Sequence, residues 1–249
     1  MTAALRILEP GLRTTVQDRG RPGYQWLGVP ISGALDSTAL AAANLVAGNP
    51  PGTAALEVCG IGPLVEVEAD AVRLAVAGLG MRIEIHGDHP ISPLQTVTLG
   101  RGDRARIVAP REVAVGYLAI AGGIGVAEIM GSRSTTLRAR LGGFEGRALA
   151  TGDRLPLTLD TPPRGPERRA TATGGQTLDL SRPAILRVLP APPGRDFAAD
   201  ALAELLAATW RVTAAADRMG ARLEGPRIST LRAAEDLSAG IAPGAIQIP

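Results

Sequence analysis

Short runs in which apolar and polar residues alternate recur along the first half of this 249-residue chain. Val65–Glu68, Val72–Ala77, Arg82–His86, Val97–Leu99, Arg104–Val108 and Val113–Ile120 each fit a strand, and most are bounded by Gly, Pro or Asp. A period of two sends one face of a strand to the core and the other to water. Arg82-Ile-Glu-Ile-His86 is the clearest example. Helical signals are fewer. Asp36 sits at an N-cap position before Ser37-Thr38-Ala39-Leu40; an alanine-rich run continues to Ala47, and Gly48 supplies the stop. A second helix is predicted from about Asp200 to Thr209, with Leu202, Leu205 and Leu206 on one face. Thr161–Gln176 is rich in proline and charge and lacks periodicity, which predicts a linker or a long exposed loop. The pattern therefore predicts a mainly β protein with a few short helices. Two β-rich subdomains, 1–160 and 177–249, would be joined through 161–176.

Composition refines this picture. The 31 glycines and 20 prolines are spread throughout, as many short elements joined by turns require. Aromatic residues make up 2% and hydrophobic residues 45%, so Val, Ile, Leu and Ala must fill the interior. All 26 basic side chains are arginine, and the net charge is only +2. These arginines are scattered and no aromatic residues interleave with them, which argues against nucleic-acid binding. No charged tail marks a membrane or polyanion partner. No stretch is long and apolar enough to span a membrane, and Met-Thr-Ala-Ala-Leu-Arg-Ile lacks a signal-peptide pattern. The single cysteine, Cys59, excludes an intrachain disulfide and fits a reducing cytoplasm. It ends the apolar run Ala54-Ala-Leu-Glu-Val-Cys59, which reads as a buried strand, so packing is favoured over nucleophilic chemistry.

Candidate chemistry lies in glycine-framed polar segments. In Thr14-Thr-Val-Gln-Asp-Arg-Gly-Arg-Pro-Gly23, Asp18, Arg19 and Arg21 fall within four positions, beside Gly20 and Gly23. A guanidinium fork recognises a planar carboxylate by paired hydrogen bonds, and a nearby carboxylate can hold it or exchange a proton. A tight turn with a surface ion pair fits the same residues. Ser32-Gly33-Ala34-Leu35-Asp36 enters the first helix, either offering amides to an anion or simply capping the helix. Ala119-Ile-Ala-Gly-Gly-Ile-Gly125 lacks the Lys and Ser/Thr of a P-loop and the dinucleotide spacing, so its glycines are read as permitting close backbone approach. In Gly131-Ser-Arg-Ser-Thr-Thr-Leu-Arg138, hydroxyls such as Ser132 and Ser134 stand beside Arg133 and Arg138, which suits a carboxylate or carbamate. Asp217-Arg218-Met-Gly-Ala-Arg222 repeats the acid–arginine–glycine theme. His86 and His89 have no third ligand nearby and read as a solvated turn, so no metal site is expected. There is no Gly-x-Ser-x-Gly elbow and no Ser-His-Asp set.

Several stretches occur together in a telling order: Thr14–Arg21, Gly28–Asp36, Ala42–Asn49, Leu56-Glu57, Ala121–Gly123, Gly131–Thr135, Asp217–Gly220 and Gly244–Pro249. The ordered set resembles the family of biotin-dependent carboxyltransferases that holds the C subunit of 5-oxoprolinase and allophanate hydrolase subunit 2, in its subdomains C and D. This resemblance implies a cyclophilin-like β-barrel architecture and a cytoplasmic component of a hetero-oligomeric amide hydrolase, inactive alone. Its implied activity is ATP-dependent conversion of 5-oxoproline to glutamate, with ATP used by the complex. Implied alternatives are the carboxyltransferase component of a biotin-dependent urea carboxylase, where biotin enters, and a regulatory subunit that antagonises a kinase inhibitor. The expected partner is the B subunit of 5-oxoprolinase, or allophanate hydrolase subunit 1, with the A subunit of 5-oxoprolinase as a further candidate. The resemblance assigns catalytic roles to Asp18, Arg19, Asp217 and Arg218, and substrate binding to Arg21, Ser32, Gly33, Asp36, Ser132, Arg133 and Ser134. Gln247-Ile-Pro249 reads as the opening of a strand, and further strands are implied beyond it, so the second subdomain is expected to be incomplete.

Overall fold

A computed structural model describes residues 3–85, 90–109, 115–170, 185–190, 197–230 and 241–248. These residues form two compact units, 1–178 and 179–249. His86 and His89 lie outside the described residues.

In chain order, the first unit contains β1 (Ala4–Glu9), β2 (Arg13–Gln17), α1 (Ser37–Ala47), β3 (Ala55–Cys59), β4 (Leu64–Val67) and β5 (Ala71–Ala77). These are followed by β6 (Arg82–Ile85), β7 (Thr96–Gly100), β8 (Arg104–Val108), β9 (Gly116–Ile120) and β10 (Arg154–Pro156). Two five-stranded antiparallel sheets result, ordered β10-β1-β4-β8-β6 and β2-β3-β9-β5-β7. One apolar core joins them. Leu5, Ile7, Val65, Val67, Ile83 and Ile107 come from the first sheet, and Val16, Leu56, Val58, Leu74, Val76, Leu118 and Ile120 from the second. Each such side chain fully buried contributes about 1.5–3 kcal/mol.

The second sheet is buried on both faces, and its residue sizes show how. Large side chains at Leu56, Val58, Leu74, Val76, Leu118 and Ile120 enter the shared core. The alternating positions Ala55, Ala75, Ala77 and Ala119 are small and pack, with Tyr117, under Leu40, Ala43, Val46 and Ala47 of α1. Small residues on that face let the helix lie close to the sheet. Helix α1 starts and ends where the sequence places it. Asp36 accepts the Ala39 N–H at 2.9 Å, and Gly48 adopts the left-handed conformation at φ 92°.

Neither outer edge of the second sheet is bare. Along β2, the Thr135 N–H donates to Val16 O at 2.9 Å and the Leu149 N–H to Thr14 O at 2.9 Å. Beside β7, the Thr96 N–H donates to Arg168 O and the Ala170 N–H to Leu94 O, both at 2.9 Å. Residues 161–170, the first part of the expected linker, are largely exposed yet fastened. The buried Arg73 donates to Pro163 O at 3.2 Å and Gly165 O at 2.9 Å, and Glu167 takes the Thr96 hydroxyl.

The second unit contains α2 (Ala201–Ala207) and the short ribbon β11 (Arg211–Val212) with β12 (Leu223–Glu224). Only Ala201 of α2 is buried; Leu202 and Leu206, expected on a packed face, are 38% and 63% exposed. Trp210 lies against Gly225, where a Cβ would stand 2.4 Å from its ring. Residues 245–248 carry no strand, contrary to the expectation at Gln247. A strand exists only through its ladder, and the described chain offers none there.

Candidate functional site

The site is built where two loops cross the end of β2. After Gln17 the chain leaves the sheet, turns at Gly20 and returns antiparallel through Ile31–Ala34. The Arg21 N–H donates to Ile31 O and the Ala34 N–H to Asp18 O, both at 2.8 Å. This approach is closer than side chains permit. A Cβ on Gly20 would stand 2.5 Å from Ile31 O, and one on Gly33 would stand 2.8 Å from both Arg19 C and Gly20 N. Both glycines also have positive φ, 82° and 85°. Ser32, between these strands of chain, adopts φ 58°, a conformation uncommon for a residue with a Cβ.

Segment 129–136 docks onto this crossing, and Asp18 is the nail. Its Oδ1 accepts from the Gly20 N–H at 2.7 Å, the Ser132 hydroxyl at 2.7 Å and the Ser134 hydroxyl at 2.5 Å. Its Oδ2 accepts the Arg133 N–H at 2.6 Å. The Asp18 N–H in turn donates to Ser134 Oγ at 2.9 Å. Four donors from the protein satisfy a half-buried carboxylate that would otherwise be costly to desolvate. Gln17, buried beneath it, donates to Thr135 O at 3.1 Å.

Arg21 binds the same loops from inside. It is 1% exposed and donates to Ile129 O, Ser134 O and Thr136 Oγ1. The Thr136 hydroxyl meets the Ser32 hydroxyl at 2.5 Å. Burial lowers the pKa of the Arg21 guanidinium, while the nearby Asp18 charge opposes that shift. Arg21 therefore holds the loops together. Arg133 is also engaged by protein: Nε donates to Val126 O at 2.8 Å and Nη1 pairs with Glu128 at 2.9 Å.

Arg19 differs. It is exposed, and no hydrogen bond or ion pair to its guanidinium is found among the described residues. Its side chain lies across Gly52, where a Cβ would stand 2.5 Å from Nε. Apolar side chains rim these loops, with Trp26 80% exposed and Leu27, Ile31, Leu35, Met130 and Leu137 also open to solvent.

Asp18, Arg19, Arg21, Ser32, Gly33, Ser132, Arg133 and Ser134 are thus brought together. Asp36 stands just beyond them, its carboxylate spent on the cap of α1. The loop leading to it is fixed by two buried residues to which the sequence reading assigned no role. Glu57 accepts the Leu35 N–H at 2.9 Å and the Tyr117 hydroxyl at 2.7 Å, and Tyr117 accepts the Asp36 N–H at 3.0 Å. A charged residue inside an otherwise apolar strand was the available signal. Asp217 and Arg218 belong to the second unit, in the turn between β11 and β12. There the Met219 N–H donates to Asp217 Oδ1 at 2.7 Å. Among the described residues no cluster of three metal-ligating side chains occurs, and no helix is long and apolar enough to cross a membrane.

Comparison with known proteins gives this geometry a lineage. The model of the carboxyltransferase domain, subdomain A and B, matches residues 27–249. That corrects the expected lettering, since subdomains C and D were implied by the resemblance. The chain is 35% identical over 246 residues to the C subunit of Escherichia coli 5-oxoprolinase, spanning 98% of this chain and 76% of that protein. It is 32% identical to the urea amidolyase of Lachancea kluyveri, of which it spans only 13%. Among solved structures, TTHA0988 is 34% identical with a TM-score of 0.72, covering 91% of this chain and 44% of that one. Kluyveromyces lactis urea carboxylase is 30% identical with a TM-score of 0.76, covering 93% of this chain and 21% of that one. The chain belongs to the carboxyltransferase subdomain A and B family, which includes the C subunit of 5-oxoprolinase and the corresponding region of urea amidolyases.

Proposed function

We propose that this chain is the C-type component of an ATP-dependent 5-oxoprolinase, which opens the lactam of 5-oxoproline to glutamate. The observation that carries this reading is the 35% identity to the C subunit of a 5-oxoprolinase across 98% of the chain. The complex uses ATP, and this chain works with a B-type partner and an A-type partner rather than alone.

Within the site, Arg19 takes the substrate carboxylate. Unlike Arg21 and Arg133, its guanidinium has no hydrogen bond or ion pair among the described residues, and a planar fork suits a carboxylate or a phosphorylated intermediate. Asp18 positions the Ser132–Ser134 segment instead of moving a proton, because four protein donors already occupy it. Arg21 and Arg133 hold the loops on either side. A urea carboxylase reading has two observations in its favour, the 32% identity to the Lachancea kluyveri urea amidolyase and the TM-score of 0.76 to the Kluyveromyces lactis enzyme.

The test is an omission experiment. Glutamate release from 5-oxoproline and ATP is measured with the co-expressed partners, with and without this chain. Release that requires the chain is the expected result. No release, with consumption of urea, bicarbonate and ATP by a biotinylated partner instead, would establish the carboxylase reading.

A further inference from the structure

Gly52 precedes β3 in the turn Pro50-Pro-Gly-Thr53. It is not among the glycines with positive φ, so no left-handed backbone requires glycine there. The three atoms nearest to a Cβ built there all belong to the Arg19 side chain: Nε at 2.5 Å, Cδ at 2.7 Å and Cγ at 2.9 Å. A left-handed φ does not explain a glycine at this position, whereas the path of Arg19 does.

The turn itself is fixed from behind. The Thr53 N–H and hydroxyl both donate to Pro50 O, at 3.1 and 2.9 Å, and the buried Asn44 donates to Thr53 O at 2.8 Å. Asn49 bonds Asn44 Oδ1 and Ile120 O and accepts the Gly122 N–H, tying the turn to the end of β9. Gly123 completes the contact, since a Cβ there would stand 2.6 Å from Thr53 Cγ2. The backbone of Arg19 packs closely against Gly33, so the arginine is approached by glycine at its backbone and again along its stem.

We propose that Gly52 is a positioning residue for Arg19: it leaves a flat floor on which the arginine stem lies, fixing where the guanidinium meets the substrate carboxylate. This rests on the reading of Arg19 as the substrate-contacting group. The atoms nearest to a methyl group at position 52 all belong to a flexible side chain, so it should move the arm without loosening the fold.

The experiment compares Gly52→Ala, Arg19→Ala and the double variant in the assembled complex. Gly52→Ala is expected to raise KM for 5-oxoproline about tenfold, with kcat within about twofold of wild type and an unchanged unfolding midpoint. In the Arg19→Ala background the second substitution should add nothing, because the floor has no arm to support. Wild-type kinetics in Gly52→Ala beside an impaired Arg19→Ala would overturn the positioning role. So would a Gly52→Ala penalty that persists without Arg19. If Arg19→Ala itself leaves turnover unchanged, the substrate reading falls and arginine labelling decides the positioning separately. Phenylglyoxal modification of Arg19, followed by peptide mass mapping, should then change at least about threefold in Gly52→Ala, since reactivity follows the local setting of the guanidinium. Identical labelling would contradict the proposal.

Discussion

At the scale of single residues, two glycines of these loops with similar backbone angles do different work. Gly33 combines φ 85° with backbone atoms of Arg19 and Gly20 at 2.8 Å from any added Cβ. Gly23 has φ 94° and nothing within 4 Å. Gly33→Ala should therefore cost about 2–4 kcal/mol, and Gly23→Ala only about 1 kcal/mol, since the second carries conformational strain alone. Urea unfolding of both variants checks the difference. Equal losses would mean that the close crossing of the two loops is not what fixes Gly33. The sequence shows polar residues gathered among glycines at 14–23 and 131–138. It does not show that Asp18 and Ser134, 116 positions apart, close on each other. Nor does it show which arginines are consumed internally. Arg19 and Arg21 look alike as letters, and only the packing of 129–136 over Arg21 separates an exposed arm from a buried clamp.

At the scale of elements, α1 is legible almost to the residue because capping chemistry is local. Asp36→Ala should cost about 1 kcal/mol, the usual value of a helix N-cap, measured by thermal or urea unfolding. Tyr117→Phe is a sharper test of how the helix is seated. It removes the donor to the buried Glu57 and the acceptor of the Asp36 N–H, and should cost about 1–3 kcal/mol. An unchanged midpoint would place the anchorage of that loop elsewhere. Strands β4 to β8 follow the alternation that predicts them, since they have bounding turns and one clearly apolar face. Strand β2 escapes that pattern because Arg13-Thr-Thr-Val-Gln17 is mostly polar. Thr14 and Thr15 are both buried, so the strand is covered on two faces, and no periodicity reports that. Helix α2 illustrates the opposite error: three leucines on one face predict packing, and two of them are exposed.

At the scale of the whole molecule, charge is arranged as ion pairs across the surface, and this sets how stability responds to acid. The Arg147 hydrogen bond, with the Ala150 N–H, holds Asp153 below its ordinary value of 3.8. A carboxylate with a lowered folded-state pKa stabilises fully above its unfolded value and loses that contribution as pH falls through the folded value. The contribution of Asp153 should therefore begin to fall near pH 3.8 and continue falling below it. Glu9, lowered by its hydrogen bond to Arg106, acts in the same direction. Asp153→Asn should flatten the acid limb of a plot of urea midpoint against pH; an unchanged limb would remove this pair from the account. The mainly β class and the family are both readable from the chain, the first from alternation and the second from the order of short motifs. The pairing order of the two sheets is not, because strands such as β1 and β10 meet only through contacts about 150 positions apart.

The most direct measurement of the central claim is steady-state turnover of 5-oxoproline by the assembled complex carrying Arg19→Ala, with Arg19→Lys beside it. Loss of a charge-assisted fork to the substrate predicts a fall in kcat/KM of about 100-fold for alanine, with partial recovery by lysine and the complex intact. Turnover within about twofold of wild type in the alanine variant would contradict the assignment of Arg19 as the arm that meets the substrate.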